Sequence, residues 1–123
     1  MISRRKAHYP KRGEIWVVNF DPTIGSEIQK TRPALILQNN IANQYSSVTI
    51  VAAITSQAND EAYPTEVSVQ KGEGGLEKES AVLLNQIRTI DKQRLVRKLG
   101  AVNQEIMEKV EQAIEISLGL IEI

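Results

Sequence analysis

Arg32 stands immediately before Pro33 and an apolar run, Ala34-Leu35-Ile36-Leu37, and further along Ile54 leads into Thr55 and Ser56. A guanidinium held at a strand entrance beside a strand-end hydroxyl makes a phosphate-handling site. Arginine stays charged, and its planar fork donates to two phosphate oxygens at once. A threonine hydroxyl on a rigid strand end donates to the same oxygens.

The most economical reaction for such a pair is cleavage of RNA by its own 2′-hydroxyl, because the nucleophile is already tethered beside the phosphorus. The enzyme then has to stabilise charge on the phosphorane, and Arg32 and Thr55 fit that task. Arginine is a poor general base, so removal of the 2′ proton calls for another group, for which Glu27 is a candidate. Asn85-Gln86-Ile87-Arg88-Thr89 offers a second polar edge. Amides pair with the edges of unstacked bases, and Arg88 can engage phosphate. Each residue also has an ordinary structural reading. Arg32 could pair with Glu27 or Asp21, Thr55 could simply end a strand, and Asn85 and Gln86 could serve a turn. Trp16 fits a core better than a base stack, and His8 fits a solvent-exposed lead.

Composition narrows the chemistry. The 123 residues include no cysteine and one histidine, which removes disulfides, thiol nucleophiles and thiolate metal sites. A metal-independent, cofactor-free site is therefore expected. No run approaches the ~18 apolar residues that read as a membrane span. No apolar segment follows the basic N-terminus, so a secretory signal is not expected and the cytoplasm is. The fifteen basic and fifteen acidic residues balance overall but segregate locally. Residues 1–12 and 86–98 are basic, the last helix is acidic, and the two basic segments can converge into one patch.

The elements that must position these residues follow from local pattern. Residues 13–20 read as a first strand, 33–38 as a second with Pro33 at its first position, and 48–55 as a third. Asp21-Pro22 and Gly25 mark a connector, and residues 39–45 a turn or short helix. Residues 65–69 form a fourth strand, 71–75 a flexible glycine turn, and 80–85 and 87–90 two short strands, continuous or broken by a bulge. Asp91 is expected to cap a short helix running through Leu99 to Gly100. Asn103 caps a long helix to about Ile121, with Ile106, Met107, Val110, Ala113, Ile114, Ser117, Leu118 and Ile121 on one face. The expectation is a mainly β (α+β) chain, one domain over residues 1–123, built as a small curved antiparallel barrel of five to seven strands. A C-terminal amphipathic helix packs across one end.

Four blocks in order carry a family resemblance: Lys11-Arg12-Gly13-Glu14-Ile15-Trp16, Asp21-Pro22-x-x-Gly25-Ser26-Glu27, Thr31-Arg32-Pro33-Ala34-Leu35-Ile36 and Gln86-Ile87-Arg88-Thr89-Ile90-Asp91. Together they resemble the MazF/PemK-like toxins of bacterial type II toxin–antitoxin modules, the mRNA interferases. The resemblance implies an SH3-like barrel, a homodimer and metal-independent, sequence-specific cleavage of single-stranded RNA to 2′,3′-cyclic phosphate and 5′-hydroxyl ends. It implies a cognate MazE-like antitoxin as inhibitor. The family's catalytic arginine falls on Arg32 and its catalytic Ser/Thr on Thr55. Its RNA-contacting positions fall on Gly25, Ser26, Glu27, Ser56, Asn85, Gln86 and Arg88. Residues 1–10 extend before the family block, Asn85 replaces a commoner acid, and Ile28 replaces a commoner Gln. A non-enzymatic CcdB-like toxin or an SH3-like binding module is the alternative. The end of the chain, Gly119-Leu120-Ile121-Glu122-Ile123, lacks the Trp-containing tip associated with gyrase poisoning.

Overall fold

The computed structural model describes residues 9–22, 24–27, 30–56 and 63–122. His8 and the basic residues before it, together with Ile28, lie outside them. Six strands, β1 (Glu14–Asn19), β2 (Thr31–Ile36), β3 (Val48–Thr55), β4 (Glu66–Val69), β5 (Ser80–Asp91) and β6 (Leu95–Ala101), form one antiparallel sheet in the order β4-β5-β3-β2-β1-β6. Helix α1 (Asn40–Tyr45) joins β2 to β3, and α2 (Gln104–Ser117) follows β6.

Apolar residues at alternate strand positions build two cores. Ile15, Leu35, Ala52, Ile54, Val67, Val82 and Leu84 meet Ile106, Met107, Val110 and Ala113 of α2 on one face. Val18, Phe20, Ala34, Ile36, Val51, Ala53 and Ile90 cluster on the other, where Trp16 and Leu95 pack against them. Central strands covered on both faces need apolar residues at every position, which explains the unbroken runs in β2 and β3. The sheet curls so that the 3₁₀ turn Glu73–Gly75, between β4 and β5, docks on β6 at the opposite edge. A Cβ built on Gly75 would lie 2.1 Å from the Leu99 carbonyl oxygen, so only glycine permits that approach. This contact, rather than a ladder between β4 and β6, gives the sheet its barrel form.

Side-chain bonds fix the connections. Asn43, fully buried, accepts at Oδ1 from Gln38 Nε2 at 2.9 Å and from Thr49 Oγ1 at 2.7 Å, and donates Nδ2 to the Gln38 carbonyl at 2.8 Å. Lys92 Nζ donates to the Asn43 carbonyl, and burial holds its ammonium below the usual lysine range. Helix α1 is thereby tied to β2, β3 and the turn after β5. Asn103 caps α2 as expected, its Oδ1 accepting from Ile106 N at 2.9 Å.

Several expectations are corrected. Strand β2 begins at Thr31, so Pro33 is its third residue. The stretches 80–85 and 87–90, by contrast, are as expected continuous through a bulge, in the one long β5. Asp91 does cap a turn, its Oδ1 accepting from Gln93 N at 2.8 Å, but that turn is the single 3₁₀ turn Lys92–Arg94, and the expected helix is strand β6. Helix α2 ends at Ser117, leaving Leu118 60% and Ile121 40% exposed rather than on the packed stripe. Among the described residues no helix is long and apolar enough to cross a membrane.

Candidate functional site: a strand break between two clefts

The hydrogen bond from Leu37 N to the Ile50 carbonyl, 2.8 Å, sets which β2 amides point toward β3. Alternate residues share that direction, so residues 37, 35 and 33 are the ones facing β3. Proline has no N–H to donate. The β2–β3 ladder accordingly ends at Ala34↔Ala53, while β1–β2 pairing continues through Val17↔Pro33 and Val18↔Arg32. Arg32 is thus held by β1 at a point where β3 is no longer bonded to β2. Arg32 and Thr55 each stand two residues beyond the last β2–β3 pair. They share the face of Ala34 and Ala53, and both are half-buried.

Two clefts flank this break. The first, about 530 Å³, is lined by Arg32 and Pro33, by Ile54 and Ser56, and by Lys78, Arg97 and Lys98 among others. The second, about 380 Å³, is lined by Ser26, Glu27, Asn85, Gln86 and Arg88 with Phe20, Ala53 and Ile87. Five of the seven residues expected to contact RNA therefore share one cleft. Ser56 lines the other with Arg32, and Gly25, in the exposed turn beside Ser26, lines neither. Ala53 of β3 borders the second cleft, while Ile54 and, just past the strand, Ser56 border the first, so Thr55 has a first-cleft residue on either side of it in the chain.

The second cleft is shaped by a bulge in β5. Its register against β3 jumps from Ala52↔Ile87 to Ala53↔Leu83, so Leu84, Asn85 and Gln86 are extra residues, and Leu84 N bonds instead to the Thr65 carbonyl at 2.8 Å. A bulge re-aims side chains, and Asn85 is left exposed and Gln86 half-buried. The opposite wall is stapled by two arginines. Arg88 Nη1 donates to the Phe20 carbonyl at 3.2 Å, with its guanidinium 5.8 Å from the Phe20 ring centroid. Arg94 Nη1 donates to the carbonyls of Asn19, at 3.0 Å, and Asp21. Within the loop, Glu27 Oε1 accepts from Ile24 N at 2.6 Å, and Asp21 Oδ1 from Lys30 N at 2.9 Å. The two acids considered as ion partners of Arg32 each hold a backbone N–H of their own loop.

Lys78, Arg97 and Lys98 were not foreseen at the site. Reading residues 91–99 as a helix hid the β1–β6 register that sets Arg97 opposite Val17 and Lys98 opposite Trp16. The available signal was the pair of leucines, Leu95 and Leu99, at positions that strand alternation serves as well as a helix turn. Lys98 is held by Glu14, Nζ to Oε2 at 2.9 Å. Burial acts to raise the Glu14 pKa. Hydrogen bonds from Trp16 Nε1 (3.0 Å), Lys98 and Lys11 N (2.9 Å), and the Lys98 charge, outweigh it and hold the carboxyl below its ordinary range.

Comparison with known proteins agrees with this architecture. The model of the PemK-like, MazF-like toxins of type II toxin–antitoxin systems matches residues 11–118. Endoribonuclease EndoA of Bacillus subtilis (strain 168) is 46% identical over 112 residues, 91% of this chain and 97% of that protein. Endoribonuclease MazF of Staphylococcus saprophyticus is 44% identical over 110 residues, 89% and 92% of the two chains. The crystal structure of MazF (Form-I) from Deinococcus radiodurans superposes with a TM-score of 0.79 at 26% identity, covering 91% of this chain and 98% of that one. With a family match over nearly its whole length, and two curated relatives above forty per cent identity, the chain belongs to the PemK-like, MazF-like toxins of type II toxin–antitoxin systems.

Proposed function

We propose that this protein is the toxin of a type II toxin–antitoxin module and acts as a sequence-specific endoribonuclease on single-stranded RNA in the bacterial cytoplasm. It works as one catalytic domain per chain, in a homodimer. The observation that supports the catalytic assignment best is the matched position of Arg32 and Thr55, on one face, just beyond the break at Pro33.

In this reading the 2′-oxygen attacks the adjacent phosphorus and the 5′-oxygen departs, leaving a 2′,3′-cyclic phosphate and a 5′-hydroxyl. One proton leaves the 2′-hydroxyl and one is gained by the 5′-oxygen. Arg32 donates its fork to the non-bridging oxygens as charge grows on them, and the Thr55 hydroxyl adds a further donor. The bulge residues Asn85 and Gln86 read exposed base edges, with Ser26 and Glu27 on the facing loop. A cognate antitoxin silences the enzyme by laying an acidic segment, disordered when free, over the clefts.

Incubating the purified protein with a long mixed-sequence RNA in EDTA, then mapping the ends, tests the reading. Discrete cuts with cyclic-phosphate ends are expected, and intact RNA at high protein concentration would refute it. Arg32→Ala should lower the cleavage rate by roughly a hundred- to a thousandfold, the usual cost of one transition-state donor, with the fold retained. Cutting at the wild-type rate by that variant would overturn the catalytic role of Arg32.

A further inference from the structure

The two clefts beside the Pro33 break differ in chemistry, and the difference assigns them different parts of an RNA strand. The second carries the amides of Asn85 and Gln86 and the Glu27 carboxylate, groups that engage base edges. The first is lined by Arg32, Lys78, Arg97 and Lys98 against one acid, Glu77, with the hydroxyls of Thr31, Ser56 and Ser80. Among the described residues no aromatic ring and no side-chain amide lines it. A cleft with cations and hydroxyls but no stacking surface suits sugar and phosphate, not bases.

Its cations are unequal. Lys98 is already neutralised by Glu14 at 2.9 Å, and Arg32 is assigned to the scissile phosphate. Arg97 and Lys78, both exposed, remain. They reach the cleft from separate elements: Arg97 from β6, and Lys78 from the segment that follows the Glu73–Gly75 turn. That turn is docked on β6, which brings the two walls together. The register sets Arg97 opposite Val17 and Val17 opposite Pro33, so Arg97 is in line with the break, and it shares the lining of the first cleft with Arg32, the neighbour of Pro33.

We infer that Arg97 and Lys78 form a backbone subsite that holds a phosphate of the RNA strand flanking the cleaved linkage, without reading its base. This rests on the endoribonuclease reading. It divides the site: the Asn85–Gln86 cleft selects sequence, and the Arg97–Lys78 cleft supplies sequence-independent grip beside the catalytic pair.

The probe is an RNA oligonucleotide made uncleavable by a 2′-deoxy nucleotide at the mapped cut site, with binding followed by fluorescence anisotropy over a salt series. Each phosphate contact to a single strand contributes about 0.7 to the slope of log affinity against log salt. The double variant Arg97→Gln/Lys78→Gln should flatten the slope by roughly 1.4 and weaken binding at low salt, equally for oligonucleotides differing only in the flanking bases. The double variant Arg97→Lys/Lys78→Arg should restore the slope. Lys109→Gln, which removes a charge from α2 away from both clefts, should not change it. A Gln/Gln variant with wild-type slope and affinity, while the wild-type protein cuts RNA, overturns the subsite alone. Flattening that depends on the flanking bases overturns it too. A wild-type protein that neither binds nor cuts RNA overturns the subsite together with the endoribonuclease reading.

Discussion

Three donors converge on the Glu14 carboxylate: the Trp16 indole, the Lys98 ammonium and the Lys11 amide. Residues 14 and 16 share a strand face, and the β6 register delivers Lys98 opposite Trp16, so one acid ties two strands and half-buries an aromatic ring. The folded carboxyl titrates below 4.5, the ordinary value for the unfolded chain. Its contribution to stability is therefore present in full above about pH 4.5 and is lost as pH falls through the folded value. Glu14→Gln preserves shape but not charge. Urea denaturation near neutral pH should find the variant less stable by roughly 1.5–3 kcal/mol, the range for hydrogen bonds to a charged group. Repeated at about pH 3.5 the gap should narrow. A gap that does not change between the two conditions would mean the carboxylate charge is not what the network uses. That Arg32 and Thr55 stand at the ends of neighbouring strands was legible from the local strand pattern around each. Glu14 was not, because its Lys98 partner is supplied by a strand that local pattern concealed.

Strand β6 shows where local pattern stops being enough. Asp91 is a good cap, Leu95 and Leu99 are four apart, and Gly100 is a good stop, so residues 91–100 satisfy the local rules for a short helix. The chain honours the cap for one 3₁₀ turn and then pairs with β1 along Val18↔Leu95 to Glu14↔Ala101. What overrides the helix is tertiary: an unpaired β1 edge, and a glycine turn shaped to cover the new strand. The same reasoning separates β3 and α2, which were legible to within a few residues, from the β5 bulge, whose placement depends on Thr65, just before β4, taking the Leu84 amide. Gly75 and Gly72 distinguish backbone conformation from close approach. Both have positive φ, +79° and +95°, but a Cβ on Gly72 meets nothing within 4 Å whereas one on Gly75 meets the Leu99 backbone. Gly72→Ala should cost about 1–3 kcal/mol from backbone strain alone. Gly75→Ala should cost a further ~1–3 kcal/mol for the overlap, and should loosen β6 and the first cleft with it. Equal midpoint shifts in chemical denaturation would show that the edge contact does not close the sheet.

At the scale of the whole molecule, charge balance and site chemistry pull apart. The chain carries no net charge, so a long-range field contributes little to RNA capture, and affinity has to come from contacts inside the clefts. Of the basic groups there, Lys98 is neutralised by Glu14. Arg32, Lys78 and Arg97 line the same cleft as Lys98, and Arg88 lines the other, where it donates to the Phe20 carbonyl as well. Four phosphate contacts at about 0.7 each give a slope near −2.8, so binding of an uncleavable oligonucleotide should weaken roughly fiftyfold between 50 and 200 mM salt for each strand bound. That is gentle beside the loss of about a thousandfold or more expected for six to ten contacts on duplex DNA. Titrations by fluorescence anisotropy across that salt range check it. A much steeper loss would require cations beyond these four, drawn from the chain's other basic residues, such as Arg4, Arg5, Lys6 or Lys30. A much flatter one would mean that stacking and hydrogen bonds to bases dominate, moving the weight of recognition from the Arg97 cleft to the Asn85–Gln86 bulge.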